Sequence, residues 1–184
     1  MQVHIEQVLL EVIEGDITRW QGDYIVNAAN SGLYGGGGVD GAIHRAGGRR
    51  IAEECAAIRQ RQGKVLPGDA ALTSAGSLPF RGIIHTVGPI WKGGSANETA
   101  VLAECYSTSL NLACAEGAQS IAFPNIGTGV YNFPKSAAAQ IAVTSVVRFI
   151  REKTAANMPL KRIAFVCFEP DNAAIYRELL ESCR

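Results

Sequence analysis

The sequence predicts an α/β domain, a sheet covered by helices on both faces. Three observations predict it. Short apolar runs with strand character alternate with helical patterns along the chain. Ile163 to Phe168 is a continuous apolar run, typical of an interior strand. Two glycine-rich segments directly follow strand ends, where open α/β sheets bind ligands. The 184 residues suit a single domain, 1–184, without repeat, low-complexity tract or linker.

The elements follow in order. Residues from about 3 to 13 are apolar and partly alternating, a strand that ends in the turn Glu14-Gly-Asp-Ile-Thr18. Tyr24 to Asn27 is a second short strand. Val39 to Ala46 begins a helix, and Arg49 to Gln62 forms another, with Ile51, Cys55 and Ile58 at helical spacing. Gly63 to Gly68 connects it to strands at Ala70 to Ser74 and Ile83 to Val87. Trp91 to Asn97 is polar and glycine-containing, and its first five residues read as a mobile rim. Thr99 to Glu116 is an amphipathic helix with Leu102, Tyr106, Leu110 and Ala113 on one stripe, and Gly117 stands where a terminating glycine belongs. Ile121 to Phe123 is a buried strand and Pro134 to Lys153 a helix. After the Ile163 strand, Asp171 caps a final helix through Leu180.

Seventeen basic and seventeen acidic residues give zero net charge, without the basic footprint of a dedicated nucleic-acid binder. A phosphate ligand must then be held mainly by backbone N–H groups and helix ends. The five cysteines are odd in number and form no CxxC pair, which speaks against a disulfide framework and for a reducing compartment. The N-terminal residues lack a signal-peptide pattern and no apolar run is long enough to span a bilayer, so a cytoplasmic location without membrane contact is expected.

The most telling stretch runs from Ile25 to Gly47: an apolar strand end, Asn27 and Asn30, four glycines at 35–38, Val39, then Asp40 opening a helix. Four glycines in a row are costly to order, which suits main-chain N–H groups brought against a ligand. The helix N-terminus that follows adds positive partial charge. The second glycine-rich loop is Pro124-Asn-Ile-Gly127-Thr-Gly129-Val-Tyr131, where Gly127, Thr128 and Gly129 offer N–H groups and one hydroxyl to phosphate oxygens, or form an ordinary turn. Neither loop matches the phosphate loop GxxxxGK[ST], and the spacing does not give the dinucleotide fingerprint GxGxxG between strand and helix.

Each single residue has a plain reading beside the functional one. Asp16 is a turn or cap residue, or an acceptor for the exocyclic amine of adenine. Asn27 and Asn30 are turn stabilisers or ligand contacts. Asp40 is favoured by the helix dipole, which lowers its pKa and makes it a water-orienting carboxylate rather than a strong base. His44, one turn beyond, reads with Arg45 as helix surface. His85 is a hydrogen-bonded core histidine. Tyr131 and Phe168 are core residues by type or flank a ribose and an adenine face. The three histidines show no metal-ligand spacing with the cysteines, so neither metal nor cofactor is expected.

Five ordered blocks carry a family resemblance: Gly15-Asp-Ile-Thr18, Val26-Asn-Ala-Ala-Asn30, Gly35 through Arg45, His85-Thr-Val-Gly-Pro89 and Gly127-Thr-Gly-Val-Tyr131. Together they resemble the macrodomain family, in its MacroD-type ADP-ribose-processing branch, over about residues 10 to 180. The resemblance implies a three-layer α/β/α sandwich around a mixed, mostly parallel sheet, with a cleft for ADP-ribose. By position Asp16 and Ile17 would read adenine beside Phe168, and Gly127, Thr128, Gly129 and Val130 would hold the diphosphate. Asn30, the loop of Gly35, Gly36, Gly37 and Gly38, and Asp40 would surround the distal ribose with Tyr131 packing nearby, and Asn27 and Val39 would also bind substrate. Asn30 and Asp40 would be catalytic.

The activity this implies is hydrolysis of esters on that ribose: deacetylation of O-acetyl-ADP-ribose and release of mono-ADP-ribose from acidic side chains of proteins, by a positioned water without metal. A non-catalytic ADP-ribose reader and an RNA-binding protein are the alternatives, the latter disfavoured by zero net charge. Two departures stand out: Asn125 and Gly127 replace the usual Ala and Ser of the diphosphate loop, and Gly47 replaces a usual alanine, which should loosen its helix by up to about 1 kcal/mol.

Overall fold

The computed structural model describes residues 1–153 and 158–183. Seven strands form one sheet: β1 (Gln2–Ile5), β2 (Val8–Glu14), β3 (Tyr24–Ala28), β4 (Ala70–Thr73), β5 (Gly82–Thr86), β6 (Ser120–Phe123) and β7 (Arg162–Cys167). Their order is β1-β2-β7-β6-β3-β5-β4. The five central strands run parallel, and the edge strands β1 and β4 pair antiparallel with β2 and β5. The helices are α1 (Gly38–Gly47), α2 (Arg49–Gln62), α3 (Glu98–Ala115), α4 (Lys135–Glu152) and α5 (Pro170–Glu181), and a short 3-10 turn spans Ile17–Arg19.

Side-chain alternation along the strands assigns the helices to layers. On β3, Tyr24 and Val26 join the core made with Leu102, Tyr106 and Leu110 of α3, Val143 and Val146 of α4, and Tyr176 of α5. Ile25, between them, faces the opposite core with Ile43 of α1 and Ile51, Cys55 and Ile58 of α2. The three-layer α/β/α architecture follows. By the same alternation Asn27 and His85, opposite each other in the β3–β5 register, lie on the α1/α2 face. That face is where the candidate chemistry collects.

Most expected elements are present, with local corrections. The single strand expected over residues 3 to 13 is a hairpin, because Glu6 takes a left-handed conformation (φ 51°) and turns the chain back on itself. Asp171 does not cap the last helix: Glu169 is the capping residue, Pro170 takes the first turn, and Asp171 follows within it. Gly117 does end α3, at φ 65°, with Gly117 N–H donating to Cys114 O and Ala118 N–H to Ala113 O. Residues 91–97 are anchored rather than loose. The buried Glu98 carboxylate accepts N–H bonds from Lys92 (2.7 Å), Gly94 (3.1 Å) and Ala96 (2.7 Å). Gly47 is closely packed, since a Cβ there would collide with Ile51 Cδ1 and lie 3.1 Å from Ala75 O. All five cysteines are free thiols. No helix among the described residues is long and apolar enough to cross a membrane.

Candidate functional site

The carboxyl ends of β2, β7, β6 and β3 lie side by side in that order. Asp16 follows β2, Phe168 follows β7, the 127–131 loop follows β6, and Asn30 with the glycine segment follows β3. At about 4.8 Å per strand, this row spans about 14 Å. The N–H of Gly15 donates to Cys167 O at 2.9 Å, which ties the Asp16 end to the Phe168 end.

At that end, Asp16 caps the 3-10 turn. Its Oδ1 accepts from Thr18 N (2.9 Å) and Thr18 Oγ1 (2.7 Å), while the carboxylate stays exposed. Ile17 is buried beneath it and Phe168 stands 79% exposed. A large aromatic left this exposed beside an available carboxylate oxygen suits the face and amine edge of a planar base.

In the middle, Gly127 adopts φ 81°, a conformation glycine takes without strain, and this accounts for its standing where a serine is usual. Phe133 N–H donates back to Gly127 O (2.9 Å) and Asn132 N–H to Gly129 O (3.0 Å), closing the loop on itself. The Thr128 hydroxyl donates to Asn125 O at 3.3 Å, so it retains only acceptor capacity; the N–H groups remain as donors. Those of Gly127, Thr128, Gly129 and Val130 have no acceptor among the described residues, nor do those of Gly35, Gly36 and Gly37. Unpaired main-chain donors grouped in this way are able to hold an anion. Val130 is 90% exposed on its rim. Tyr131 is half-buried, and its carbonyl accepts from Trp91 N–H.

The far end is built around Asp40. Gly36 marks the convergence: a Cβ there would lie 3.4 Å from Asp40 Oδ2 and 4.0 Å from Asn30 Nδ2. Gly35 (φ 79°) and Gly38 (φ 55°) supply the left-handed turns that fold the loop over the carboxylate and start α1. Half-buried Val39 occupies the first turn. Asn30 staples the loop, donating from Nδ2 to Gly35 O (2.8 Å) and accepting at Oδ1 from Tyr34 N–H (3.1 Å). Beneath them Asn27, wholly buried, donates from Nδ2 to Asp40 Oδ1 at 2.8 Å and lies 3.1 Å from His85 Nδ1. Asn27 therefore supports the carboxylate from below instead of lining the cleft surface.

Two sequence expectations change here. Asp40 was expected to have a lowered pKa; burial raises it above the ordinary 3.8, against the opposing effects of the Asn27 amide and His44. Removing water from the carboxylate outweighs the Asn27 hydrogen bond and the His44 charge. His44 is not surface. Its Nε2 lies 3.4 Å from Asp40 Oδ1, and its ring centroid is 6.3 Å from that of His85. His85 is the expected core histidine, its pKa pushed down to about 3 by burial and by neighbouring His44. Its Nε2 lies 2.8 Å from Thr73 Oγ1, whose own hydrogen goes to Ser74 O. The ring thus donates from Nε2 and accepts at Nδ1. His44, Cys55 and His85 each place a ligand atom within 4.8 Å of the others. They come from three elements, so linear spacing gave no sign. The i, i+4 relation of Asp40 and His44 was the one available signal.

A sequence model of the Macro domain family matches residues 26–142, and the chain belongs to that family. An O-acetyl-ADP-ribose deacetylase of Klebsiella pneumoniae (strain 342) is 55% identical over 172 residues, covering 94% of this chain and 96% of the relative. The Oceanobacillus iheyensis macrodomain solved with ADP superimposes with a TM-score of 0.94 at 39% identity, covering 100% of this chain and 95% of that one. The Trypanosoma brucei macrodomain in complex with ADP-ribose gives 0.84 at 36% identity, covering 93% and 68%.

Proposed function

We propose that this protein hydrolyses esters on the distal ribose of ADP-ribose, deacetylating O-acetyl-ADP-ribose and releasing mono-ADP-ribose from acidic side chains of proteins. The convergence of Asn30 and the buried Asp40 on Gly36, at the end of a row of unpaired N–H groups, carries this reading. The names of the relative and of the two solved structures support the ligand class.

In this reading Asp16, Ile17 and Phe168 receive the adenine. The N–H groups of Gly127 to Val130 and of the 35–37 segment hold the diphosphate, with charge-assisted bonds taking the place of a positive field. Asn30 fixes the ribose, and Tyr131 packs beside it. Asp40 holds a water against the ester. Its raised pKa makes it a better proton acceptor than a surface aspartate, and Asn27 keeps its Oδ1 in place so that Oδ2 faces the loop. The water oxygen bonds to the acyl carbon and its proton passes to Asp40. The acyl–ribose oxygen bond breaks, and the ribose oxygen takes a proton, leaving a carboxylic acid and ADP-ribose. Ordered loops hold the reacting end, so much of the acceleration comes from positioning.

The test is product analysis with O-acetyl-ADP-ribose and with a glutamate-linked ADP-ribosyl protein. Wild type should release ADP-ribose from both, whereas Asp40→Ala and Asn30→Ala should bind free ADP-ribose and turn over at least about 100-fold more slowly. Binding by wild type without product would make the protein a reader. Equal rates in all three proteins would remove Asn30 and Asp40 from the chemistry.

A further inference from the structure

Beneath Asp40, on the α1/α2 side of the sheet, lie groups that ester hydrolysis leaves unused. His44 comes from α1, Cys55 from α2 and His85 from β5, and one ligand atom of each lies within 4.8 Å of the other two. Cys55 and His85 are wholly buried. His44 Nε2 is also buried and makes no hydrogen bond, although Asp40 Oδ1 is 3.4 Å away. A buried ring nitrogen without a partner calls for an explanation, and an ion is one of the few available.

We propose that His44, Cys55, His85 and Asp40 form a binding site for Zn²⁺, and that its occupation withdraws Asp40 from the water it would hold. One thiolate, two imidazoles and a carboxylate are a nitrogen, sulfur and oxygen set suited to tetrahedral zinc. It offers too few oxygens for calcium or magnesium. Zinc bonds of about 2.0–2.3 Å put tetrahedral ligands roughly 3.3–3.8 Å apart. The His44, Cys55 and His85 ligand atoms must therefore draw together by about 1 Å, which rotation of the His44 and Cys55 side chains can supply. Asp40, outside that 4.8 Å group although 3.4 Å from His44 Nε2, must swing in as the fourth ligand.

The surroundings suit the set. Thr73 fixes the His85 ring with its lone pair on Nδ1, as an outer hydrogen-bond partner does for a metal-bound imidazole. Asn27 Nδ2 now covers that lone pair and must turn aside. Coordination forms a zinc–sulfur bond and releases the thiol proton to solvent, with no change of oxidation state. The site stands on its own geometry; only its effect on turnover rests on the hydrolase reading.

The experiment titrates the whole, chelator-treated protein with Co²⁺ as a spectroscopic probe, then with Zn²⁺, in wild type and Cys55→Ala. Wild type should bind one equivalent of cobalt with a near-ultraviolet thiolate band and intense tetrahedral visible bands, and zinc should displace it. Cys55→Ala should lose the thiolate band and bind zinc at least roughly 100-fold more weakly, beyond the 10- to 100-fold that losing an outer partner costs. Its metal-free hydrolysis should match wild type, and zinc should inhibit only wild type. Thermal melting establishes that the variant is folded; should it not be, the stoichiometry and thiolate band of wild type decide alone. No thiolate band in wild type, or equal zinc affinity in folded Cys55→Ala, overturns the site. Neither readout needs turnover, so failure of the hydrolase reading would be seen separately.

Discussion

Asp40→Asn should make this protein more stable and inactive at once. The substitution keeps the shape and still lets Asn27 Nδ2 donate to the side-chain oxygen at position 40, a bond of 2.8 Å in the wild type. That bond changes from charge-assisted to neutral, a loss of about 1 kcal/mol. Against it stands the desolvation of the carboxylate, which is the largest influence on this group and outweighs the help of Asn27 and His44, since the net pKa is raised. The net effect should be a gain of about 0.5–2 kcal/mol, the usual range for relieving strain of this sort at a functional site. In a domain of this size that corresponds to a melting temperature about 1–8 °C higher. The sign also fixes the pH dependence. The folded chain holds the Asp40 proton up to a higher pH than the unfolded chain, so Asp40 makes stability fall as pH rises from its ordinary 3.8 through the raised value. Asp40→Asn removes that fall, so its advantage over wild type should be small at pH 3 and full at pH 7. Thermal melts at both pH values, together with ester turnover, test it. A variant less stable than wild type at pH 7 would refute the claim that burial, and not the helix dipole, governs this carboxylate.

His85, neutral in the fold with a pKa near 3 against an ordinary 6.5, should have the opposite dependence. The unfolded chain binds its proton first, so stability falls as pH drops from about 6.5 to about 3, by up to about 1.4 kcal/mol per unit from this group. Urea melts of wild type and His85→Leu should show the variant's slope shallower by up to one proton. Gly47→Ala, which raises helix propensity, should nevertheless destabilise by about 1–3 kcal/mol because its methyl group meets Ile51 and the Ala75 carbonyl. A raised melting temperature would contradict that contact. Glu98→Ala should release residues 92–96, whose N–H groups lose their acceptor, and hydrogen exchange should quicken there first.

The chain read alone determined the alternation of strands and helices, the glycine-rich loops at strand ends and the helix that opens at Asp40. These depend on local patterns of side-chain spacing and backbone freedom, which are written in consecutive residues. The Ile163 run and the glycine ending α3 are legible for the same reason. The hairpin at Glu6 was not, because a non-glycine residue at positive φ leaves no local mark. Tertiary structure alone decided the rest. Strand order lines up Asp16, Phe168, the 127–131 loop and Asn30 along the carboxyl ends of adjacent strands, although they are scattered through the sequence. Packing buried Asp40 and so reversed the direction in which local position alone would move its pKa. It also brought His44, Cys55 and His85 within reach of one another. Burial and proximity are properties of the assembled layers, where desolvation depends on what covers a group and not on its neighbours in the chain.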